Sequence, residues 1–111
     1  MSSFGDLQQQ AMEIRQKYNE LNKAHGHEQW DARAYAMGFV GDVGDLLKLV
    51  MAAEHFRDVK GDGEVTEKLQ HELGDCLWSL FVIADHYGIS LEQAFQGTMA
   101  ELRGRIAGGE A

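Results

Sequence analysis

Not one proline occurs in the 111 residues. Proline interrupts helices by removing a backbone donor and crowding the preceding turn, so its absence leaves long helices unopposed. Cysteine is nearly absent as well. The single Cys76 excludes an internal disulfide and fits a reducing cytoplasm. Positive charge is scarce: 10 Lys and Arg stand against 18 Asp and Glu, a formal net charge of −8. That balance argues against a nucleic-acid duplex or an anionic membrane as partner. It does not exclude a small phosphate-bearing ligand, because a bound metal reverses the local charge. No apolar run reaches membrane-spanning length, and the first residues lack the pattern of a secretory leader. A cytoplasmic protein away from membranes is therefore expected. The rest, 44% apolar and 25% charged, is ordinary for a globular chain, and the length suits one domain over residues 1–111.

The apolar residues recur with helical period throughout. Phe4, Leu7, Ala11, Ile14, Tyr18 and Leu21 follow a 3-4-3-4-3 spacing and predict an amphipathic helix over residues 3–24. Gly26 is a C-terminal breaker. His25, His27 and Glu28 then read as a polar connection, since such loops are far commoner than metal clusters of the same composition. Asp31 can cap a second helix reaching about residue 58, with Ala36, Phe39, Val40, Val43, Leu46, Leu47 and Val50 as its core face. Gly38, Gly41 and Gly44 fall at every third position of this helix. Each costs about 1 kcal/mol against alanine, so the spacing predicts the close approach of a helix, a subunit or a ligand. Gly61-Asp62-Gly63 breaks the chain before a third helix that ends near Tyr87. Its seam is Leu69, Leu73, Cys76, Leu80, Ile83 and Tyr87, with Glu72, Asp75, Ser79 and His86 on a separate polar strip. Ser90 and Gln93 form a capping box for a fourth helix carrying Leu91, Phe95, Met99, Leu102 and Ile106. The fold class is all-α, a four-helix bundle. Its broad apolar faces predict assembly into a homodimer or homotetramer.

Two acidic pairs stand out in this frame. Asp42 and Asp45 lie in Gly41-Asp42-Val43-Gly44-Asp45-Leu46, and Glu72 and Asp75 lie in His71-Glu72-Leu73-Gly74-Asp75-Cys76-Leu77-Trp78. Residues i and i+3 share a helix face, so each pair directs two carboxylates the same way. Two such helices side by side would gather four acids in an apolar setting, where unpaired charge is costly. A divalent cation that prefers oxygen ligands would relieve it. The competing reading is that Lys48, Lys68 or Arg57 neutralises these acids in ordinary salt bridges. Asp58-x-Lys60-x-Asp62-Gly63 imitates the start of a calcium-binding loop but fails the pattern. Lys60 occupies a ligand position, and Leu69 stands where the bidentate glutamate belongs.

The two acidic motifs resemble those of the MazG-like family of all-α nucleoside triphosphate pyrophosphohydrolases, which carry Glu-Val-Gly-Glu-Leu on one helix and Glu-Leu-Gly-Asp-x-Leu-Trp on the next. The second motif is matched without gaps by Glu72–Trp78. The similarity continues through Ile83-Ala84, Gly88-Ile89-x-Leu91-Glu92-x-Ala94 and Met99-x-x-Leu102-x-x-Arg105, spanning residues 30–106. The resemblance implies hydrolysis of a nucleoside triphosphate, often a non-standard or excess one, to monophosphate and pyrophosphate. It implies magnesium, with manganese as an alternative, held by Asp42, Asp45, Glu72 and Asp75. Glu72 or Asp45 would orient or deprotonate the attacking water. Trp30 would stack on the base, as aromatic residues before the first acidic motif do in some relatives, although a core or interface tryptophan is the plainer reading. The remaining substrate contacts would come from Lys48, Arg57, Lys60, Ser79 and Arg105.

Departures from the family pattern keep other readings open. Asp42 and Asp45 replace glutamates and reach about 1.5 Å less far, one C–C bond. Thr98 and Leu102 stand where some relatives have phosphate-binding Lys and Asn. A non-catalytic helical interaction protein that retains the fold is one alternative, and a phosphoribosyl-ATP pyrophosphohydrolase is another. Trp78 is expected to point away from the acidic strip and to pack. Cys76 is expected to be a small buried apolar residue rather than a nucleophile.

Overall fold

The computed structural model describes residues 3–55 and 62–109. Four helices account for them: α1 (Phe4–Ala24), α2 (Ala32–His55), α3 (Asp62–His86) and α4 (Leu91–Ala107). No strand occurs among the described residues, in keeping with the all-α expectation. α3 begins at Asp62, inside the expected break, and the end foreseen for α2 near residue 58 lies outside the described residues.

Local chemistry sets the helix ends. The Ser3 hydroxyl accepts from the Asp6 amide while the Asp6 carboxylate accepts from the Ser3 amide, a complete capping box. Asp31 Oδ1 accepts from the Ala34 amide at 2.9 Å and starts α2. Ser90 Oγ accepts from the Gln93 amide at 3.3 Å and starts α4. The C-termini of α1 and α3 close in the same way. Gly26 and Gly88 adopt φ +72° and +67°, which a side chain would disfavour. The next amides, of His27 and Ile89, then donate back to the carbonyls of Asn22 and Ala84, each at 2.8 Å.

α3 is the hub. It packs most extensively on α2 and also touches α1 and α4, while α1 touches α4. The buried residues cluster on its C-terminal half: Cys76, Ser79, Phe81, Val82 and Ala84, with Ala11 of α1 and Tyr35 of α2. Val82 is 1% exposed. Phe4 stacks on Phe81 with ring centroids 5.1 Å apart. The Trp78 indole N–H donates to the Ala11 carbonyl at 3.0 Å and ties α1 to α3.

α2 departs from the expected core face. Tyr35 is buried and Phe39, Asp42, Leu46 and Leu49 are half-buried, at helical spacing. Val40 is 70% exposed, Leu47 60%, and Val43 and Val50 are exposed as well. The helix is turned so that its acid-bearing face meets α3, and its most apolar stripe points outward. The glycines do not explain the close α2–α3 pairing. A Cβ added at Gly41 or Gly44 would meet nothing within 4 Å, whereas one at Gly38 would lie 3.1 Å from Cζ3 of Trp30.

With so much apolar surface outside, the chain is open. Its radius of gyration is 17.4 Å, against about 13 Å for a compact domain of this length. Its accessible surface is 8552 Å², against about 6,100 Å² from size scaling.

A pair of substitutions tests this packing. Gly97 in α4 has open space where a Cβ would go, so Gly97→Ala should raise stability by up to about 1 kcal/mol. Gly38→Ala should gain less, because the Trp30 ring must yield. Urea unfolding of both variants beside the parent chain measures the difference.

Candidate metal centre

Asp42 and Asp45 reach out from α2 and Glu72 from α3, and each offers one carboxylate oxygen such that all three lie within 4.8 Å of one another. Two oxygens bound at about 2.0–2.6 Å to one hard cation lie within about 5 Å of each other, so the donor set fits such an ion in both chemistry and spacing. The shorter aspartates suffice because the inward face of α2 already carries Asp42 against α3. Ser79, buried at 4% exposure, hydrogen-bonds to the Asp42 carboxylate. Glu72 Oε2 is buried with no hydrogen-bond partner. A buried carboxylate oxygen without a donor is costly, and a cation is the natural remedy.

Asp75 stands apart from this trio. Its Oδ2 accepts from His71 Nε2 at 3.1 Å, one helical turn away on α3. The expected four-acid cluster is thus three acids plus a fourth paired with histidine. The lysines do not neutralise them: Lys68 bonds Glu64 at 3.1 Å, and Lys48 forms no ion pair among the described residues. Arg57 lies outside the described residues.

The crowding shows in the protonation of the site. Desolvation pushes the Glu72 carboxyl above its ordinary value, reinforced by the charges of Asp75, Asp45 and Asp42 and opposed by His71. Asp42 is raised likewise by desolvation, then by Asp75 and Asp45, against the Ser79 hydrogen bond and His71. Burial, then the charges of Asp42, Glu72 and Asp75, push the Cys76 thiol up as well, in keeping with a small buried residue.

A cleft of about 430 Å³ adjoins the acids on the side of Asp75, lined by Tyr18, Asn22, Trp30, Tyr35 and Trp78 among others. Its aromatic wall is continuous. Trp30 meets Tyr35 edge-on at 5.5 Å, Tyr35 meets Trp78 at 5.7 Å, and Trp78 meets Tyr18 at 5.9 Å. Trp78 therefore packs, as expected, but also shares this wall with Asp75 instead of pointing away from the acidic strip. Tyr18, Asn22 and Tyr35 were not foreseen as site residues. Their only trace in the sequence is their distance from Trp30 once α1 and α2 fold over α3. His71 was equally unforeseen, although its i, i+4 relation to Asp75 is legible.

Other expected contacts fall elsewhere. Ser79 is buried against Asp42 and positions a carboxylate, which leaves it no free surface for substrate. Arg105 pairs with Glu101 at 2.8 Å on the last turns of α4 and lines none of the clefts at the acids. Lys48 does border the cluster. Lys60, like Arg57, lies outside the described residues. The His25 and His27 rings are 6.1 Å apart and, with Glu28, form no metal-binding group among the described residues.

The raised carboxyls have a measurable consequence. A carboxyl whose pKa is higher folded than unfolded binds its proton more tightly in the folded chain. Metal-free protein should therefore gain stability as pH falls from neutral through the raised values, and lose it as pH rises through them. In chelator, thermal unfolding of the parent should show this rise toward mildly acidic pH, and Glu72→Gln, which cannot ionise there, should show a flatter one.

The MazG nucleotide pyrophosphohydrolase domain matches residues 52–107. That span takes in the last turn of α2 and all of α3 and α4, hence Glu72 and Asp75 but not Asp42 and Asp45. No curated protein and no solved structure matches the chain. With half its length under that match and the Glu72–Trp78 motif in the middle of an all-helical fold, the chain belongs to the MazG nucleotide pyrophosphohydrolase domain family.

Proposed function

We propose that the protein is a magnesium-dependent nucleoside triphosphate pyrophosphohydrolase that cleaves between the α- and β-phosphates, releasing monophosphate and pyrophosphate. The observation that carries this reading is the meeting of Asp42, Asp45 and Glu72 within 4.8 Å, beside a cleft walled by aromatic rings. Those three acids would hold the ion, and Asp75, paired with His71 in this structure, would have to turn from the histidine to join them as the fourth ligand. Magnesium or manganese, when bound, screens the phosphates and lowers the pKa of a water nucleophile. Glu72 or Asp45 would orient or deprotonate the attacking water, and Glu72 is favoured because no hydrogen-bond donor engages its buried Oε2. Trp30 and its neighbours offer the base a stacking surface. The substrates are canonical or non-standard (d)NTPs, cleared in the reducing cytoplasm, where the buried thiol of Cys76 stays intact.

A second copy of the chain completes the fold. The outward stripe of Met37, Val40, Leu47 and Met51 keeps the 3-7-4 spacing of one helix face, and the surface in excess of size scaling is about 2,400 Å². That is the scale of an obligate homodimer interface.

Pyrophosphate release should be measured on a panel of canonical and modified dNTPs and NTPs, with and without magnesium. Release on at least one is expected, abolished by chelator. Glu72→Gln should lose on the order of 10²–10⁴ in rate. Silence of folded protein across the panel would leave a non-catalytic helical protein. For assembly, the parent should sediment as a dimer or larger, and Val40→Glu with Leu47→Glu should shift it to monomer.

A further inference from the structure

The acid cluster is flanked by clefts of opposite character. On the side away from the aromatic wall lies a cleft of about 300 Å³ lined by Asp45, Lys48, Leu49, Lys68, His71 and Glu72. It shares Asp45 and Glu72 with the cluster, whereas the aromatic cleft is lined by Asp75, one turn along α3 from Glu72. The two clefts therefore open toward opposite ends of the acidic strip of α3.

The lysines of this cleft are not spent on the acids they adjoin. Lys68 stands one turn before Glu72 but bonds Glu64, in a pair whose side chains are both more than half exposed. Such a solvated pair is weak and easily exchanged for another anion. Lys48 stands one turn after Asp45 and has no carboxylate partner among the described residues. A flexible ammonium is a point charge suited to a mobile phosphate. Two lysines that line one cleft without bonding the acids beside it leave their ammonium groups available to an anion there.

We infer that the Lys48–Lys68 cleft binds the terminal phosphates of the substrate and, after cleavage, the pyrophosphate. This rests on the pyrophosphohydrolase reading above and gives the substrate a direction. The base lies at the aromatic wall by Trp78, the reacting phosphorus at the acids, and the tail at Lys68. From Lys68 to Trp78 α3 rises about 15 Å, comparable with the reach of an extended nucleoside triphosphate. The reverse placement is less favoured. Among the described residues no lysine lines the aromatic cleft, and the nearby Arg15, 6.0 Å over the Tyr35 ring, is paired with Asp85. The lysine cleft offers no ring but the His71 imidazole.

The test is calorimetric binding to the full chain of two probes, magnesium pyrophosphate and each of the four deoxynucleoside monophosphates. Lys48→Ala and Lys68→Ala should each weaken magnesium pyrophosphate about tenfold and leave the monophosphates within about twofold of the parent. Lys68→Arg should restore most of the loss. Trp30→Leu should do the opposite, weakening a monophosphate and sparing pyrophosphate. The inference is overturned if the parent does not bind magnesium pyrophosphate, if the double lysine variant binds it as the parent does, or if both probes weaken together. Lysine-dependent pyrophosphate binding by a protein that cleaves nothing on the panel would sink the hydrolase reading and keep the cleft. Active enzyme whose pyrophosphate affinity ignores both lysines would do the reverse.

Discussion

Carboxylates pressed together across the α2–α3 contact are the constraint on which the rest of this structure depends. Asp42, Asp45 and Glu72 converge there, and both desolvation and mutual repulsion resist it. The fold meets that resistance only in part. Ser79 donates to Asp42 and His71 engages Asp75, but Glu72 Oε2 is left buried and unpaired. An arrangement that is unfavourable by itself, yet held by the most extensive helix pairing among the described residues, is one that a cation could relieve. Repulsion among the acids would then favour binding of such an ion.

The same constraint shapes the apolar surface. A helix has one circumference, and if its acid-bearing side faces the neighbour, a stripe a third of a turn away cannot. Met37, Val40 and Leu47 are exposed for this reason, and α3 alone cannot cover them. Among the described residues α2 packs chiefly on α3 and meets α1 only through side chains such as Arg15 on Tyr35. Four helices so arranged make an open assembly with a core concentrated at Cys76–Ala84. The proposed second copy answers a surplus of apolar surface that the acid site itself creates.

Along α3 the chemistry changes with each turn: Lys68, then Glu72, then Asp75 beside Trp78. Cation, candidate metal ligand and aromatic ring follow one another on a rigid rod, in the order that the proposed placement of a nucleotide requires. A helix keeps such an order because its rise per residue is constant. It needs only a second helix to supply Lys48, Asp42 and Asp45, and a loop to supply Trp30.

Local information determined a good deal. Four helices follow from unbroken 3.6-residue periodicity in a chain without proline. Their ends follow from Ser3, Asp31, Ser90, Gly26 and Gly88, whose effects reach only three or four residues along the backbone. The two acid pairs and their family likeness are equally legible, because i, i+3 proximity is a property of a single helix. Rotation of α2 about its axis is not local. The outward Val40–Leu47 stripe has the hydropathy of a core face, whereas the tertiary contact places Tyr35, Asp42 and Leu46 inward. Only the packed structure decided that three acids meet while Asp75 turns to His71. It alone showed that Ser79 serves a carboxylate, and that Tyr18, Tyr35 and Trp78 form one wall. Those outcomes depend on distances between separate helices, which spacing along one chain does not encode.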